Sequence, residues 1–321
     1  MRIFKNTPQF DFMGKRKIAF VISAILLIVS IAGLFAKGLS YGIDFKGGTI
    51  IQIKFQEEPK LDIIRTLFQD QLTTSVNITT FGDKEDNEVI ITLREDSIKD
   101  SYDNLTEVVH KTLKNDFTGY DIRRNETVGA KIGGELRSKG IQAALYVMAG
   151  ILLYIGFRFK PRYGIAAVVA LFHDVLITLC FFIFLEKEFT LTILAALMTI
   201  IGYSLNDTIV VFDRVRENVA RFPRTSLTEV INLSINESLS RTILTSVTTF
   251  LVVFALYAFG GEIIHDFAFA MLIGLVVGTY SSVFVASPVV IFFDPERLRK
   301  NSTYNAFMKF ATSFSRTKKV K

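Results

Sequence analysis

The chain has no tryptophan, one cysteine and three histidines in 321 residues. The single cysteine, Cys180, sits inside an apolar block, so no disulfide can form within the chain. Any folded part outside a membrane must therefore be held by its own apolar core. Without tryptophan, an aromatic belt at a membrane interface has to come from Tyr and Phe. Three histidines and one cysteine give no cluster with metal-ligand spacing, and neither HExxH nor GxSxG occurs. The sequence thus argues against an intramembrane enzyme, and no metal and no cofactor is expected. No cleavable leader is expected: the first apolar block, 18–36, is long for a signal h-region and runs into Lys37-Gly38 instead of a small-residue cleavage site. It reads as a retained membrane helix.

What is present is apolar length. Half of the residues are hydrophobic, mean hydropathy is +0.37, and the apolar residues come in blocks near 18–36, 141–159, 163–185, 189–212, 242–260 and 267–293. Runs of about eighteen or more such residues cross a bilayer core of about 30 Å as helices. The formal charge is +6, but the Lys and Arg residues stand beside the blocks, as topology signals do, and this argues against a nucleic-acid partner. They gather before the first block (Lys15, Arg16, Lys17), between the second and third (Arg158, Lys160, Arg162), between the fourth and fifth (Arg214, Arg216, Arg221, Arg224) and after the sixth (Arg297, Arg299, Lys300). Both termini are therefore expected in the cytoplasm. The expected order is a cytoplasmic segment 1–17, a first span 18–36, an external segment 37–138, spans two to six within 139–293, and a basic cytoplasmic tail 294–321.

The external segment has its own pattern. Ile51, Ile53 and Phe55 alternate with Gln52 and Lys54, a half-buried strand. A helix is expected at 59–72 (Leu61, Ile64, Phe68, Leu72), strands at 75–81 and 88–93, a helix at 97–116 (Ile98, Leu105, Val109, Thr112) and a strand at 120–128. The order β-α-β-β-α-β is the ferredoxin-like motif. The fold expected is membrane α-helical, six transmembrane helices with an α+β ferredoxin-like extracytoplasmic domain.

Ionisable and polar residues inside a span are costly and need a reason. On the fourth block Thr199, Tyr203, Asn206 and Asp207 fall at i, i+4, i+7 and i+8, one polar stripe on an apolar helix. Asp207 is either a carrier of an ion, with Arg241 of the fifth block as its partner at comparable depth, or a carboxylate wetted near the inner end of its helix. Arg241 is either that partner or an arginine snorkelling at a helix end. His173-Asp174, within the third block, reads as a relay or as an interhelical hydrogen bond. Gly274 and Gly278 form a GxxxG step for close helix packing. Gly42, Asp44, Gly47 and Gly48 lie in Tyr41-Gly42-Ile43-Asp44-Phe45-Lys46-Gly47-Gly48. No Gly-Lys-Ser/Thr follows, so this run reads as a tight turn and hinge through which the domain swings against the helices, not as a phosphate loop.

Four runs resemble the SecF family of bacterial protein-export membrane subunits, within the SecD/SecF family and the RND-type permease superfamily: 42–48, His173-Asp174, 202–218 and Ser240-Arg241-Thr242. The resemblance spans nearly the whole chain to about Asp294; the basic tail is the part it leaves unexplained. It implies pairing with SecD in a pseudo-symmetric complex, association with the SecYEG channel and YajC, and help to a translocating preprotein late in its passage across the cytoplasmic membrane, driven by the proton-motive force. It places the family's membrane carboxylate on Asp207 and its arginine on Arg241, with H+ or Na+ as coupling ion. A non-transporting scaffold or insertion factor, and half of a small-molecule exporter, are the alternatives.

Overall fold

A computed structural model of the chain describes residues 7–71, 76–82, 86–94, 105–114, 117 and 119–293. Among these residues, six helices are long and apolar enough to cross a membrane. The first is α1 (Arg16–Ala36). It turns its large aliphatics outward, Ile18, Val21, Ile25 and Ile28 among them, and buries only Ala19, Ser23, Ser30 and Gly33. That is the reverse of a soluble helix. It suits lipid, where small residues allow helices to approach closely.

A one-turn helix α2 (Ile43–Lys46) follows, and then the α/β domain: β1 (Gly48–Phe55), α3 (Leu61–Gln71), β2 (Asn77–Phe81), β3 (Glu88–Arg94), α4 (Leu105–Leu113) and β4 (Tyr120–Val128). The sheet order is β2-β3-β1-β4, with every pairing antiparallel. This is the ferredoxin-like arrangement expected from the element order. Register places Ile51 opposite Ile91 and Ile53 opposite Val89, so one face of the sheet presents a continuous apolar row. Ile64 and Phe68 of α3 and Val109 and Leu113 of α4 close over that row, all fully buried. An irregularity between Gln52 and Ile53 shifts the β1–β4 register by one residue. Leu72, Ile98 and the side chain of Leu105 lie outside the described residues, as do 97–104 and 115–116 of the expected second helix.

The other spans are α5 (Ala130–Arg158), α6 (Pro161–Phe184), α7 (Leu191–Arg221), α8 (Leu227–Phe259) and the last one, made of α9 (Glu262–Ser281), a π-helical turn (Ser282–Ala286) and α10 (Ser287–Phe292). The inner three are α6, α7 and the α9–α10 span; α1, α5 and α8 are peripheral. The GxxxG step lies against α7. A Cβ at Gly274 would fall 2.3 Å from Ile200 Cδ1, and one at Gly278 would fall 3.0 Å from the Cβ of Ser204.

The helices overrun their apolar blocks. α5 starts at Ala130, straight after β4, where the apolar block begins near 141 and the expected span boundary is 139. α7 has 31 residues, about 46 Å of helix, so its charged end from Asp213 to Arg221 projects past a bilayer core of about 30 Å. α8 begins at Leu227 behind a capping box formed by Ser226 and Glu229. Residues 227–240 are amphipathic, burying Val230, Ile231, Ser234, Ile235 and Ser238, and a hydropathy window does not see them. Arg241 therefore sits inside a long helix, not at its start.

Candidate functional site

Asp207 points into the bundle and is 3% exposed. Its Oδ2 accepts a long hydrogen bond, 3.4 Å, from Ser246 of α8. Ser246 in turn lies 2.9 Å from the hydroxyl of Thr279 on α9. Three spans thus meet at this carboxylate through two hydroxyls. Ser246 and Thr279 carry no sequence signal beyond being hydroxyls in an apolar span, and sequence reasoning passed over both.

Arg241 is not on the carboxylate. Its side chain is exposed, and Asp207 makes no ion pair among the described residues. Arg241 and Ser246 are five residues apart, about 140° around α8 and about 7.5 Å along it, and the guanidinium acts on Asp207 electrostatically without touching it.

The polar stripe on α7 also divides. Thr199 and Asn206 are exposed, together with Gly202 between them. Thr199 bonds its own helix at Ala195 O, 2.8 Å. Tyr203 is half-buried and donates to Thr249 of α8 at 3.3 Å. Only Asp207 faces fully inward. Over eight residues a straight α-helix turns by about 80° beyond whole turns, enough to carry the stripe from the outer surface to the interior.

His173 and Asp174 of α6 form a second, separate polar centre, 1% and 0% exposed. Their side chains touch at 2.9 Å (Nδ1 to Oδ1). Ser204 of α7 and Ser281 of α9 both donate to Asp174 Oδ2, at 2.6 and 2.8 Å. The other ring nitrogen of His173 lies 3.1 Å from Ser23 of α1. Ser23 meets the hydroxyl of Tyr280, which donates to Ala19 O at 2.9 Å. Four spans converge on one residue pair. The Ser281 contact lies directly before the π-helical turn, which realigns the last span around it.

The run 42–48, expected as a turn and hinge, contains the docked helix α2. Phe189, in the loop before α7, bonds Ser40 O at 2.6 Å and accepts from Gly42 N at 3.0 Å. Asp44 Oδ2 accepts the backbone N–H of Leu191, the first residue of α7, at 2.8 Å. Gly47 and Gly48 have φ of +81° and +142°, a backbone that only glycine adopts without strain. Among the described residues, no group of three or more His, Cys, Asp and Glu side chains comes together as a metal site.

Comparison with known proteins agrees with this architecture. The family model described as protein export membrane protein SecD/SecF, C-terminal, matches residues 108–296, and that of the SecD/SecF GG motif matches 32–58. The protein translocase subunit SecF of Calditerrivibrio nitroreducens is 42% identical, over 93% of this chain and 99% of its own. That of Magnetococcus marinus is 45% identical, over 94% and 97%. Among solved structures, SecDF from Thermus thermophilus, titled a translocon-associated membrane protein, superposes with a TM-score of 0.80 at 35% identity. A super-membrane-facing form of SecDF gives 0.69 at 34%. The chain covers 91% and 94% of itself in these two comparisons but only 39% and 41% of the SecDF chains. It corresponds to one part of a longer polypeptide in those proteins. With six spans, a ferredoxin-like domain between the first two, and matches over nearly its full length, the chain belongs to the SecD/SecF family of protein-export membrane proteins.

Proposed function

We propose that this chain is an accessory subunit of the Sec protein-export machinery, working beside a SecD partner at the SecYEG channel, with YajC, to promote late stages of preprotein translocation. In this reading it lies in the cytoplasmic (inner) membrane with both termini inside. The basic ends Arg158, Lys160, Arg162, Arg214 and Arg216 on one side of the bundle support that orientation.

The observation that carries the proposal is Asp207. It is a carboxylate buried within a membrane-spanning helix and held, among the described residues, by one long hydroxyl contact and no ion pair, with the Arg241 charge acting on it from a distance. Such a group is expensive to keep unless it works. Next to it, Thr199, Gly202 and Asn206 of α7 and Arg241 of α8 are exposed. Those groups at bilayer depth suit the polar face of a second helical half better than lipid acyl chains.

The mechanism follows from charge. A coupling ion, H+ or Na+, neutralises Asp207 from one side of the membrane and leaves on the other. Arg241 keeps its charge throughout. The attraction between carboxylate and guanidinium therefore switches on and off with each ion, and α7 and α8 repack between two arrangements. One elementary charge moved through 100 mV supplies about 2.3 kcal/mol, enough to shift a two-state equilibrium separated by a similar gap. The external domain moves with the bundle and acts on the exported chain.

The test is export of a preprotein into vesicles carrying the complete complex, with and without an imposed ion gradient. Asp207→Asn and Arg241→Met should remove the gradient-dependent part while the complex still assembles. A scaffold that transports nothing would tolerate both substitutions, and normal gradient-driven export by both variants would leave that reading standing.

A further inference from the structure

The external domain is joined to the bundle by two short connections, and neither is loose. On the exit side, β4 passes through Gly129 directly into α5. On the entry side, residues 40–48 are clamped to two spans at once. Backbone hydrogen bonds tie Ser40 and Gly42 to Phe189. Phe45, 7% exposed, stacks on Phe189 with ring centroids 5.6 Å apart. Tyr41 packs edge-on against both rings, and Arg137 of α5 lies over Tyr41 at 4.8 Å. The backbone of Gly47 presses on α5 so closely that a Cβ at Gly133 would fall 2.9 Å from Gly47 N.

At the centre of this contact is Asp44. The first N–H groups of a helix have no partner within it. The N-cap of α7, Thr190, serves Ile193; Asp44, from a different part of the chain, serves Leu191. A carboxylate there also complements the positive end of the helix dipole. α7 then continues without a proline through Asp207, 16 residues on, about 24 Å along the axis. An axial or tilting displacement of α7 at Asp207 is therefore delivered to Asp44, and through Gly47 and Gly48 to the first residues of β1.

We propose that residues 41–48 form a rigid latch, not a hinge, and that Asp44 is the positioning residue that couples α7 to the external domain. This rests on the reading of Asp207 as the ion-carrying group. It locates the transmission between that group and the domain at the N-terminus of α7. The domain's base moves with α7 and α5 as one body.

A cross-link tests this. A Cβ at Gly42 would lie 2.9 Å from Cγ2 of Thr190, and Gly42 has an ordinary φ of −70°. Gly42→Cys with Thr190→Cys, in a Cys180→Ala background, can staple α2 to the start of α7. Gradient-driven export by the complete complex is measured with the staple oxidised and reduced. A rigid latch predicts oxidised and reduced rates within about twofold of each other. It also predicts that Asp44→Ala alone lowers gradient-driven export about tenfold at unchanged complex yield, that Asp44→Asn retains most of it because an amide oxygen still caps the helix, and that the oxidised staple restores Asp44→Ala. A tenfold loss on oxidation that reductant reverses would mean that the segment must open, and would overturn the latch. So would failure of the staple to restore Asp44→Ala. Asp207→Asn is run alongside: if it exports normally, the ion-coupled reading fails independently of the latch result.

Discussion

Asp174 and Asp207 lie on adjacent central helices, both inside the bundle, yet among the described residues Asp174 is hydrogen-bonded by three side chains and Asp207 by one. Ser204, Ser281 and His173 saturate Asp174 at 2.6 to 2.9 Å. Ser246 reaches Asp207 only at 3.4 Å. A fully bonded buried polar group rigidifies its surroundings and loses much by any change of state. A sparsely bonded one can gain or lose an ion without dismantling its neighbours. The comparison assigns bracing to the first and switching to the second, although both are aspartates at membrane depth.

The strongest way to break that contrast is to remove the brace. Asp174→Ala leaves two serines and His173 without their acceptor at the junction of α6, α7 and α9. Each buried donor left without its acceptor costs about 1–3 kcal/mol. Thermal melting of the purified complex should fall sharply, and assembly with it. An unchanged melting temperature would remove the bracing role. The next effect is steric. Gly274→Leu drives a side chain into Ile200, where a Cβ alone falls 2.3 Å from Cδ1, and overpacking of this kind costs about 1–3 kcal/mol. Melting should detect it, while the same change at Gly150, where a Cβ meets no heavy atom within 4 Å, should be near neutral. Ser246→Ala takes away the one hydroxyl that reaches Asp207 among the described residues. It should change stability by about 1 kcal/mol or less yet lower gradient-driven export several-fold, an asymmetry that a bracing residue would not show. Tyr203→Phe, which loses a single 3.3 Å bond to Thr249, should be the mildest, near 0.6 kcal/mol if it follows the average interhelical hydrogen bond.

Much of this was legible in the residues. Strict alternation through Ile51, Ile53 and Phe55 marks a strand whose core face needs no structure to identify, and 120–128 reads as a strand with the bounds observed. The apolar blocks locate six spans because bilayer thickness sets a minimum length. What the blocks miss is helix continuing into water: 213–221 and 227–240 are amphipathic or charged, so hydropathy falls while the backbone stays helical. The buried carboxylates stand out because charges inside apolar runs are rare. Their partners do not. Ser204, Ser246, Thr279 and Ser281 are ordinary residues in such runs, and only the packing of α7 against α8 and α9 shows which hydroxyls point inward. Arg241 illustrates the limit of depth arguments. Its charge acts on Asp207, but among the described residues the two make no ion pair, and spacing along two different helices does not give that separation. The run 42–48 reads from the sequence as a tight turn and hinge, and the structure sets a one-turn helix, α2, within it. Its role as a docked cap on α7 depends on Leu191, far away in sequence.

The most direct measurement of the contrast is gradient-driven preprotein export by the complex carrying Asp207→Asn, scored together with its melting temperature. The account predicts a stably assembled complex, melting within a few degrees of the parent, whose export no longer responds to an imposed H+ or Na+ gradient. A variant that melts normally and still responds fully to the gradient would contradict it.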